Sequence, residues 1–394
     1  MVPATVHPAT PRHGWANDQD TEPRRPAAPA RLPSSATMST HDGAPGAEQV
    51  EMTVSDGFEA WLDEQGTSLV FALPPSKLFL VGLDELGELS VFERTFDKCM
   101  GIAHVDTQTL HLGTRHHVWR LANVLDAGEL TEDGYDRLYV PVHASTTGYL
   151  NTHDLAVEDD GRVLIVNTRF GCLAEPSPSA SFVPVWWPPF LPGPWPNDRC
   201  HLNGLAVRDG RAAHVTAVGR SAHVDGWRDE RADGGVVVDV QRDEVVATGL
   251  SMPHSPRWHR DRLWVANAGS GELGTIDLDA GRFDPLTFAP GFVRGLCFVG
   301  DYAVVGSSKP RHGGLYSGLA LDGALAAHGE EPRLGLFVID LRTGEIAEWL
   351  LIEGPVRELF EVIALPGVRR PKALGLLSDE ITAAIRFDVR EDAR

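Results

Sequence analysis

Three histidines stand at the beginning of separate apolar runs of the sequence. His153 opens the run HDLAV, His254 opens HSPRW, and His201 stands two residues before Asn203, which opens NGLAV. If these runs are equivalent strands of a repeat, the three imidazoles converge in space. Imidazoles from separate strands suit Zn, Fe, Cu or Ni, whereas oxygen ligands alone would suit Ca or Mg. The pattern therefore predicts a divalent transition metal held by His153, His201 and His254.

The same alignment brings further reactive side chains next to the histidines. Arg294 and Glu361 open two more runs, RGLCF and EVIAL, and Asn203 opens its own. Glu361 or Asn203 would serve as a further metal ligand or as the general base for a bound water, and Arg294 would orient the substrate. We therefore predict Glu361, Arg294 and Asn203 as catalytic residues.

Predicted loops on the same face carry a concentration of cationic side chains. In a chain of net charge −20, cations around one opening predict an anionic substrate, either a small metabolite or a peptide, whose carboxylate or phosphate is held by arginine. Residues 173–199 are rich in Trp and Pro and are predicted to cover the opening as a lid. The predicted substrate-binding residues are Arg115, Arg169, Arg220, Asn267, Lys309 and Trp187.

Each of these features has a simpler structural interpretation. A single histidine among sixteen is more often a hydrogen-bonded core residue than a metal ligand, loop arginines often pair with nearby carboxylates, and a Trp-rich loop often packs on its own sheet. On that interpretation the protein is a non-catalytic propeller that binds a ligand or a partner protein. A third alternative is a metal-free enzyme with Glu361 or His254 as the general base.

The elements that must position these residues form a repeat. Short β-rich runs broken by Gly, Asp, Asn and Pro continue from residue 66 onwards, with little helical periodicity. Seven runs align, and their starts lie 31, 53, 50, 51, 40 and 67 residues apart, which is the scale of a four-stranded propeller blade. The aligned runs are LVFAL at 69–73, MGIAH at 100–104, HDLAV at 153–157, NGLAV at 203–207, HSPRW at 254–258, RGLCF at 294–298 and EVIAL at 361–365.

Seven starts predict an all-β chain folded as a single β-propeller of about seven blades, or of six if the first or last run only closes the ring. A large β-sandwich or two small β-domains are the competing architectures. Two apolar strands that end in Asp and are followed by a turn and another strand, at 337–340 and 275–277, are predicted to begin the outer hairpins of their blades.

Composition limits the class of protein. The chain has 394 residues, 42% of them hydrophobic, and no apolar run long enough for a membrane helix or a secretory signal, which predicts a cytoplasmic protein with no membrane partner. The net charge of −20 disfavours nucleic acid as a partner. The four cysteines lack CxxC spacing and are predicted to be reduced thiols. The oligomeric state is not predicted.

The N-terminal segment differs from the rest of the chain. Residues 1–48 contain eight prolines and almost no periodic apolar positions, so they are predicted to form a disordered tail before a propeller domain over residues 49–394. Met38 also opens a plausible shorter chain.

Common catalytic motifs are missing from the sequence. It contains no Walker A loop, no GxGxxG before a helix, no HExxH and no GxSxG, and it lacks the repeated Trp-Asp of WD40 propellers. The reaction type, whether lyase, hydrolase or oxygenase, stays open.

Four motifs carry a resemblance to known proteins: THDLA at 152–156, CHLNGLA at 200–206, MPHSPRW at 252–258 and FVRGL at 292–296. On the basis of these motifs, residues 52–388 resemble a bacterial family of conserved hypothetical proteins that contain a domain of unknown function. This resemblance implies a propeller but no known reaction. A more distant similarity is to NHL-type propeller enzymes such as the peptidylglycine amidating lyases, whose zinc is held by three histidines on inner strands. Only His153, His201 and His254 match that pattern.

Overall fold

The structure is a computed structural model that describes residues 50–310, 317–377 and 379–387. Its strands are short and apolar, and several are buried on both faces, as in β2, where every residue is buried. A continuous apolar run bounded by turn residues is typical of such fully buried strands. The predicted tail over residues 1–48, including Met38, lies outside the described residues.

The strands are numbered in chain order. The first eight are β1 (Glu51–Val54), β2 (Thr67–Leu73), β3 (Lys77–Leu83), β4 (Leu89–Thr95), β5 (Ile102–His104), β6 (Thr109–Gly113), β7 (His117–Asn123) and β8 (Arg137–Thr146). The next eight are β9 (Thr152–Val157), β10 (Val163–Asn167), β11 (Cys172–Glu175), β12 (Val183–Trp186), β13 (Leu202–Arg208), β14 (Arg211–Ala217), β15 (Gly235–Asp239) and β16 (Glu244–Leu250).

The remaining strands are β17 (Pro253–His259), β18 (Arg262–Asn267), β19 (Glu272–Asp277), β20 (Arg282–Phe288), β21 (Phe292–Val299), β22 (Tyr302–Ser308), β23 (Gly335–Asp340), β24 (Ile346–Glu353), β25 (Val362–Pro366) and β26 (Pro371–Ala373). The helices are α1 (Phe58–Gln65), α2 (Trp227–Glu230) and α3 (Ala320–His328), with a 3₁₀ turn at Asp379–Thr382. No helix among the described residues is long and apolar enough to cross a membrane.

The described strands form six sheets, each of which is one blade of a propeller. From the inner to the outer strand, the blades are blade 1 (β25-β2-β3-β4), blade 2 (β5-β6-β7-β8-β26), blade 3 (β9-β10-β11-β12), blade 4 (β13-β14-β15-β16), blade 5 (β17-β18-β19-β20) and blade 6 (β21-β22-β23-β24-β1). Neighbouring strands of each blade are antiparallel, except that β26 joins β8 in parallel.

The inner strands stand next to one another in a closed ring, β25-β5-β9-β13-β17-β21, with β21 returning to β25. Apolar clusters fill the spaces between neighbouring blades. One cluster packs Phe71 of blade 1 against Val304 and Leu350 of blade 6, and another packs Leu80 of blade 1 against Leu112 of blade 2. Interblade burial therefore holds the blades together, and the beginnings of the inner strands converge on one mouth of the ring.

The prediction of an all-β propeller is confirmed, with six blades instead of seven. The first aligned run lies in β2 and the last in β25, and these two strands pair in the same blade, Leu69 opposite Ala364. Two of the seven runs therefore belong to blade 1, because the C-terminal strand closes the ring as its inner strand. At the other end of the chain, β1 adds to the outer edge of blade 6 through β24.

Both predicted outer hairpins are confirmed. The first is β23 with β24 and the second is β19 with β20. The predicted lid over residues 173–199 is only partly a loop, since it contains most of β11 and all of β12. Its Trp186 closes the outer edge of blade 3 and donates from the indole Nε1 to Asp243 Oδ1 of blade 4 at 2.6 Å.

Ring closure gives the first testable prediction. Truncation after residue 359 removes β25 and β26, so that blade 1 loses its inner strand and the ring stays open. We expect this chain to lose its cooperative thermal transition in circular dichroism.

The matched control is truncation after residue 377, which keeps all strands of the ring. We expect its Tm to fall by less than about 5 °C, since only peripheral contacts are lost. A cooperative transition in the chain that ends at residue 359 would contradict the role of β25 as the closing strand.

Candidate functional site

The mouth of the ring is shaped by a repeated backbone conformation. Lys98, Asn151, His201 and Met252 have left-handed φ angles of 51°, 55°, 52° and 46°. Each stands two residues before the aligned position at the start of an inner strand, in blades 2 to 5. Positive φ is uncommon for residues other than glycine, and such strained positions cluster at functional sites. Four equivalent blades thus turn into their inner strands in the same way.

These turns surround a cavity of about 240 Å³ at the mouth. All four left-handed residues line it, and three histidines lie together with aromatic and cationic side chains. The lining residues are Lys98, Met100, Tyr149, Asn151, His153, Asp198, His201, Trp227, Arg228, Met252, His254, Phe292, Arg294 and Phe360.

The structure brings the three predicted metal ligands together in this cavity. The ring centroids of His153 and His201 are 4.8 Å apart, and those of His153 and His254 are 6.4 Å apart. His201 stacks on Trp227 at 4.1 Å, which fixes the plane of its ring. Among the described residues, no group of three or more His, Cys, Asp or Glu side chains is arranged so that it could hold a metal ion.

Each of the three imidazoles is oriented by a hydrogen bond at Nδ1. His153 Nδ1 donates to Asn151 O at 2.9 Å, and His254 Nδ1 donates to Met252 O at 2.8 Å. His201 Nδ1 lies 2.6 Å from the carboxylate oxygen Asp198 Oδ2. Because carbonyl and carboxylate oxygens only accept, the ring proton sits on Nδ1 in each case. None of the three Nε2 atoms has a hydrogen-bond partner among the described residues.

A second contact supports this tautomer for His153. Thr168 Oγ1 lies 2.8 Å from His153 Nδ1, and the Thr168 hydroxyl donates its proton to Leu202 O at 2.6 Å. The hydroxyl oxygen can therefore only accept from the His153 Nδ1–H group.

The environment keeps two of these histidines neutral. Burial, and after it the neighbouring positive charge of Arg294, lowers the pKa of His254 to about 3. The pKa of His153 is lowered well below its ordinary value, mainly by burial and then by the adjacent His201. Neutral imidazole is the form that binds a metal.

Arg294 is the predicted catalytic residue that reaches the cavity. Its Nε donates to Leu359 O at 2.7 Å, its Nη2 lies 3.2 Å from Glu358 Oε2, and its guanidinium stacks on Phe360 at 3.7 Å. These contacts hold a buried cation beside His254 in one orientation. A cation fixed in this way is suited to orient an anionic group.

Glu361 lies in a different environment, outside the cavity lining. Its Oε2 accepts from Arg257 Nη2 at 2.9 Å, and Arg257 also binds both oxygens of Asp154 at 2.8 and 3.1 Å. Asp154 directly follows His153 and Glu361 directly follows Phe360, so this ion cluster lies one residue beyond the cavity along the inner strands. Burial raises the pKa of Glu361, while attraction to Arg257 opposes that shift.

The ion cluster also connects inner strands. Asp154 Oδ2 of β9 accepts from the backbone N–H of Leu205 in β13, and Glu361 Oε1 accepts from the backbone N–H of Leu296 in β21. With Arg257 from β17, the Asp154–Arg257–Glu361 cluster spans the ring. Its charges are therefore engaged in holding the blades in register.

The third predicted catalytic residue, Asn203, is buried beside the cavity without lining it. Its Nδ2 donates to Pro253 O at 2.9 Å and connects blades 4 and 5, while its Oδ1 has no hydrogen-bond partner among the described residues.

The predicted substrate-binding residues lie outside the cavity lining. Arg169 contacts a lining residue, since its guanidinium lies 5.5 Å from the centroid of the Tyr149 ring. Arg115 pairs with Asp97 at 2.7 Å, and Lys309 pairs with Glu353 at 2.8 Å.

The other three predicted binding residues, Asn267, Arg220 and Trp187, also lie outside the cavity lining. Asn267 is buried and accepts from the backbone N–H of Ser251 at 2.7 Å. Arg220 is exposed, and Trp187 follows the outer strand of blade 3 with 40% of its surface exposed. The interpretation of loop cations as partners of local carboxylates thus fits Arg115 and Lys309.

Sequence reasoning missed Lys98, Tyr149 and Trp227. Lys98 stands two residues before the aligned Met100, as His201 stands two residues before Asn203. That equivalence was visible in the sequence. Tyr149 comes from the loop before β9 and Trp227 from helix α2, both outside the repeat, and no spacing in the sequence indicates them.

Comparison with known proteins identifies the family. The sequence profile of a domain of unknown function, DUF4915, matches residues 56–374. The chain belongs to this family. No curated protein is significantly similar to it in sequence.

Three solved structures that resemble this chain do so distantly. A protein of unknown function from Bacteroides caccae is 10% identical over 76% of this chain and 98% of its own, with a TM-score of 0.46. A chain of a nidogen/laminin complex is 11% identical over 77% of this chain and 99% of its own, with a TM-score of 0.48. Virginiamycin B lyase from Staphylococcus aureus is 10% identical over 60% of this chain and 75% of its own, with a TM-score of 0.36. Similarities of this size carry no information about activity.

The buried ion cluster gives the second prediction. Arg257→Met leaves Asp154 and Glu361 without their cation, and we expect the free energy of unfolding to fall by about 3 kcal/mol or more in urea titration. Neutralising all three residues in Asp154→Asn, Arg257→Met, Glu361→Gln should recover part of this loss, since no uncompensated charge then stays buried.

The control is Arg342→Met, which removes an exposed pair with Asp340 at 2.7 Å. An exposed pair contributes less than about 1 kcal/mol. Equal effects of the Arg257 and Arg342 substitutions would contradict a structural role for the cluster.

Proposed function

We propose that the mouth of the propeller binds one divalent transition metal through Nε2 of His153, His201 and His254, and that the protein is a metal-dependent enzyme for a small anionic molecule. The observation that carries this proposal is the state of the three rings. All three donate from Nδ1 to an acceptor, which leaves the three Nε2 atoms without a protein partner among the described residues at one cavity. Metal-binding histidines are oriented in this way by carbonyls and carboxylates.

The chemistry of the donors fits Zn, Fe or Cu, which bind imidazole nitrogen. Three histidines leave a coordination position open, as in catalytic zinc sites, and a metal there would activate a water or polarise a bound carbonyl. Around this position, Arg294 would orient the anionic group, and Phe292 and Phe360 would exclude water from it.

The spacing of the rings requires a small adjustment. Two imidazoles on one tetrahedral metal have ring centres roughly 5 Å apart, because each metal–nitrogen bond is about 2.1 Å long. The 4.8 Å between His153 and His201 meets this spacing, whereas the 6.4 Å between His153 and His254 exceeds it. Metal binding therefore requires the His254 ring to move towards the other two.

That gap favours the second candidate function, a propeller that binds a small anion or a partner without catalysis. In such a protein the three histidines would be hydrogen-bonding groups of the binding cavity, and Arg294 would supply the charge. Metal content distinguishes the two functions.

The third prediction concerns this metal. Protein purified without a His tag should contain about one equivalent of transition metal in inductively coupled plasma mass spectrometry. His153→Ala, His201→Ala and His254→Ala should each lose it, since each removes one of three ligands. His328→Ala is a suitable control because His328 ends α3, outside the cavity lining. A wild-type protein that binds no Zn, Fe or Cu after exposure to each would favour the non-catalytic function.

The fourth prediction concerns the residue that orients His201. Asp198→Asn keeps the shape of the side chain but removes the negative charge that accepts from His201 Nδ1. We expect metal affinity to fall about 10- to 100-fold in a chelator competition assay. Asp225→Asn, whose carboxylate lies outside the cavity lining, should leave the affinity unchanged. Unchanged affinity in Asp198→Asn would contradict a role for the Asp198 charge in metal binding.

A further inference from the structure

Lys98 is the cation of the cavity that the sequence alignment leaves unexplained. Its Nζ donates to the hydroxyl of Tyr149 and to Asn151 Oδ1, the latter at 3.1 Å, and it lies 4.4 Å from the centroid of the Tyr149 ring. The Tyr149 hydroxyl in turn lies 3.2 Å from Asn151 Oδ1. Lys98, Tyr149 and Asn151 thus form one polar cluster at the wall of the cavity.

This cluster leaves donor capacity unused. An ammonium group has three N–H donors, and two of those of Lys98 are engaged by Tyr149 and Asn151. The third has no partner among the described residues. Because Lys98 lines the cavity, a bound molecule can reach this donor.

The charge of Lys98 is also not matched by a carboxylate. The other two cations of the lining each pair with a carboxylate. Arg294 lies 3.2 Å from Glu358, and Arg228 lies 3.7 Å from Asp225. Within the described part of the chain, Lys98 forms no ion pair, and its two acceptors are neutral. Asp97, its neighbour in the chain, is engaged by Arg115 at 2.7 Å.

The carboxylate of the cavity does not supply this counter-charge either. Asp198 is held by His201 Nδ1 at 2.6 Å and makes no ion pair with Lys98. Asp97 is near enough to feel the charge of Lys98, but it forms its ion pair with Arg115. An anion that binds next to Lys98 therefore gains a charge-assisted hydrogen bond from an ammonium group that forms no ion pair within the described part of the chain.

The remainder of the cavity limits the size and polarity of such an anion. A volume of about 240 Å³ corresponds to roughly eight water molecules, which is the size of a small organic acid. Its apolar surface is supplied by Met100, Phe292 and Phe360. The cavity therefore combines one unmatched cation with an apolar wall.

We propose that Lys98, supported by Tyr149 and Asn151, binds the carboxylate of a small organic acid whose apolar part lies against Met100, Phe292 and Phe360. This deepens the proposed function by assigning the substrate class and its anchor, while the binding itself does not require the metal. The anchor belongs to the wall of the cavity and replaces the arginines of the outer loops in that role.

The test is isothermal titration calorimetry of the full chain with benzoate, with benzamide as the uncharged analogue of the same shape. Wild-type protein should bind benzoate at least about 10-fold more tightly than benzamide, and Lys98→Met should weaken benzoate binding about 10-fold or more without affecting benzamide, because a charged hydrogen bond is lost. Arg115→Met is the matched control, since that cation is already paired, and should bind benzoate as the wild type does.

Two further variants keep the test decisive if Lys98→Met folds poorly. Lys98→Arg retains the charge and should restore part of the benzoate affinity, and Tyr149→Phe removes one hydroxyl and should weaken it by a few-fold. The proposal would be overturned if Lys98→Met and Tyr149→Phe both bound benzoate with the same affinity as the wild-type protein. Binding of inorganic phosphate in preference to benzoate would overturn the assignment to a carboxylate.

Metal content measured on the same samples separates this proposal from the previous one. If metal-free protein binds benzoate and this binding depends on Lys98, the result supports Lys98 as the anchor and contradicts the metal-dependent enzyme. If the protein contains stoichiometric metal and binds benzoate independently of Lys98, the result supports the metal site and contradicts the anchor.

Discussion

The pairing of β25 with β2 is the constraint on which the rest of the structure depends. It joins residues from the two ends of the described chain, Phe71 opposite Val362, and completes the ring of inner strands. Every blade then contributes to the cavity: Phe360 precedes β25, and Lys98, His153, His201, His254 and Arg294 come from blades 2 to 6. No blade carries the site alone, so the chemistry of the mouth depends on closure.

Charge is arranged in layers along the ring. The buried Asp154–Arg257–Glu361 cluster lies one residue beyond the cavity, and two carboxylates there share one guanidinium. Above it, burial keeps His153 and His254 neutral, while Lys98 and Arg294 add positive charge at the wall. Cationic side chains thus line this cavity even though the chain as a whole is strongly acidic.

The repeat allowed the propeller fold and the convergence of the three histidines to be predicted. Strand spacing and the residues at the start of each inner strand are visible in the sequence. The blade number was overestimated because pairing between β2 and β25 is a long-range contact. Glu361 does stand at the start of an inner strand, as the alignment predicts. The residue before it, Phe360, lines the cavity, and Glu361 lies one residue further along the chain, outside the lining. Arg115 pairs with Asp97, whereas Lys98 lines the cavity without an ion pair among the described residues, and this difference depends on loop conformation, which spacing does not encode.

The position of the closing strand has a consequence for biosynthesis. A ribosome releases β2, β3 and β4 early, but the inner strand of their blade emerges only after about 360 residues, when the other five inner strands already exist. Until then the edge of β2 is unpaired, and unpaired edges attract other strands. The nascent protein therefore spends most of its synthesis as an open ring without a finished cavity, so that incomplete chains carry the histidines but not the assembled site.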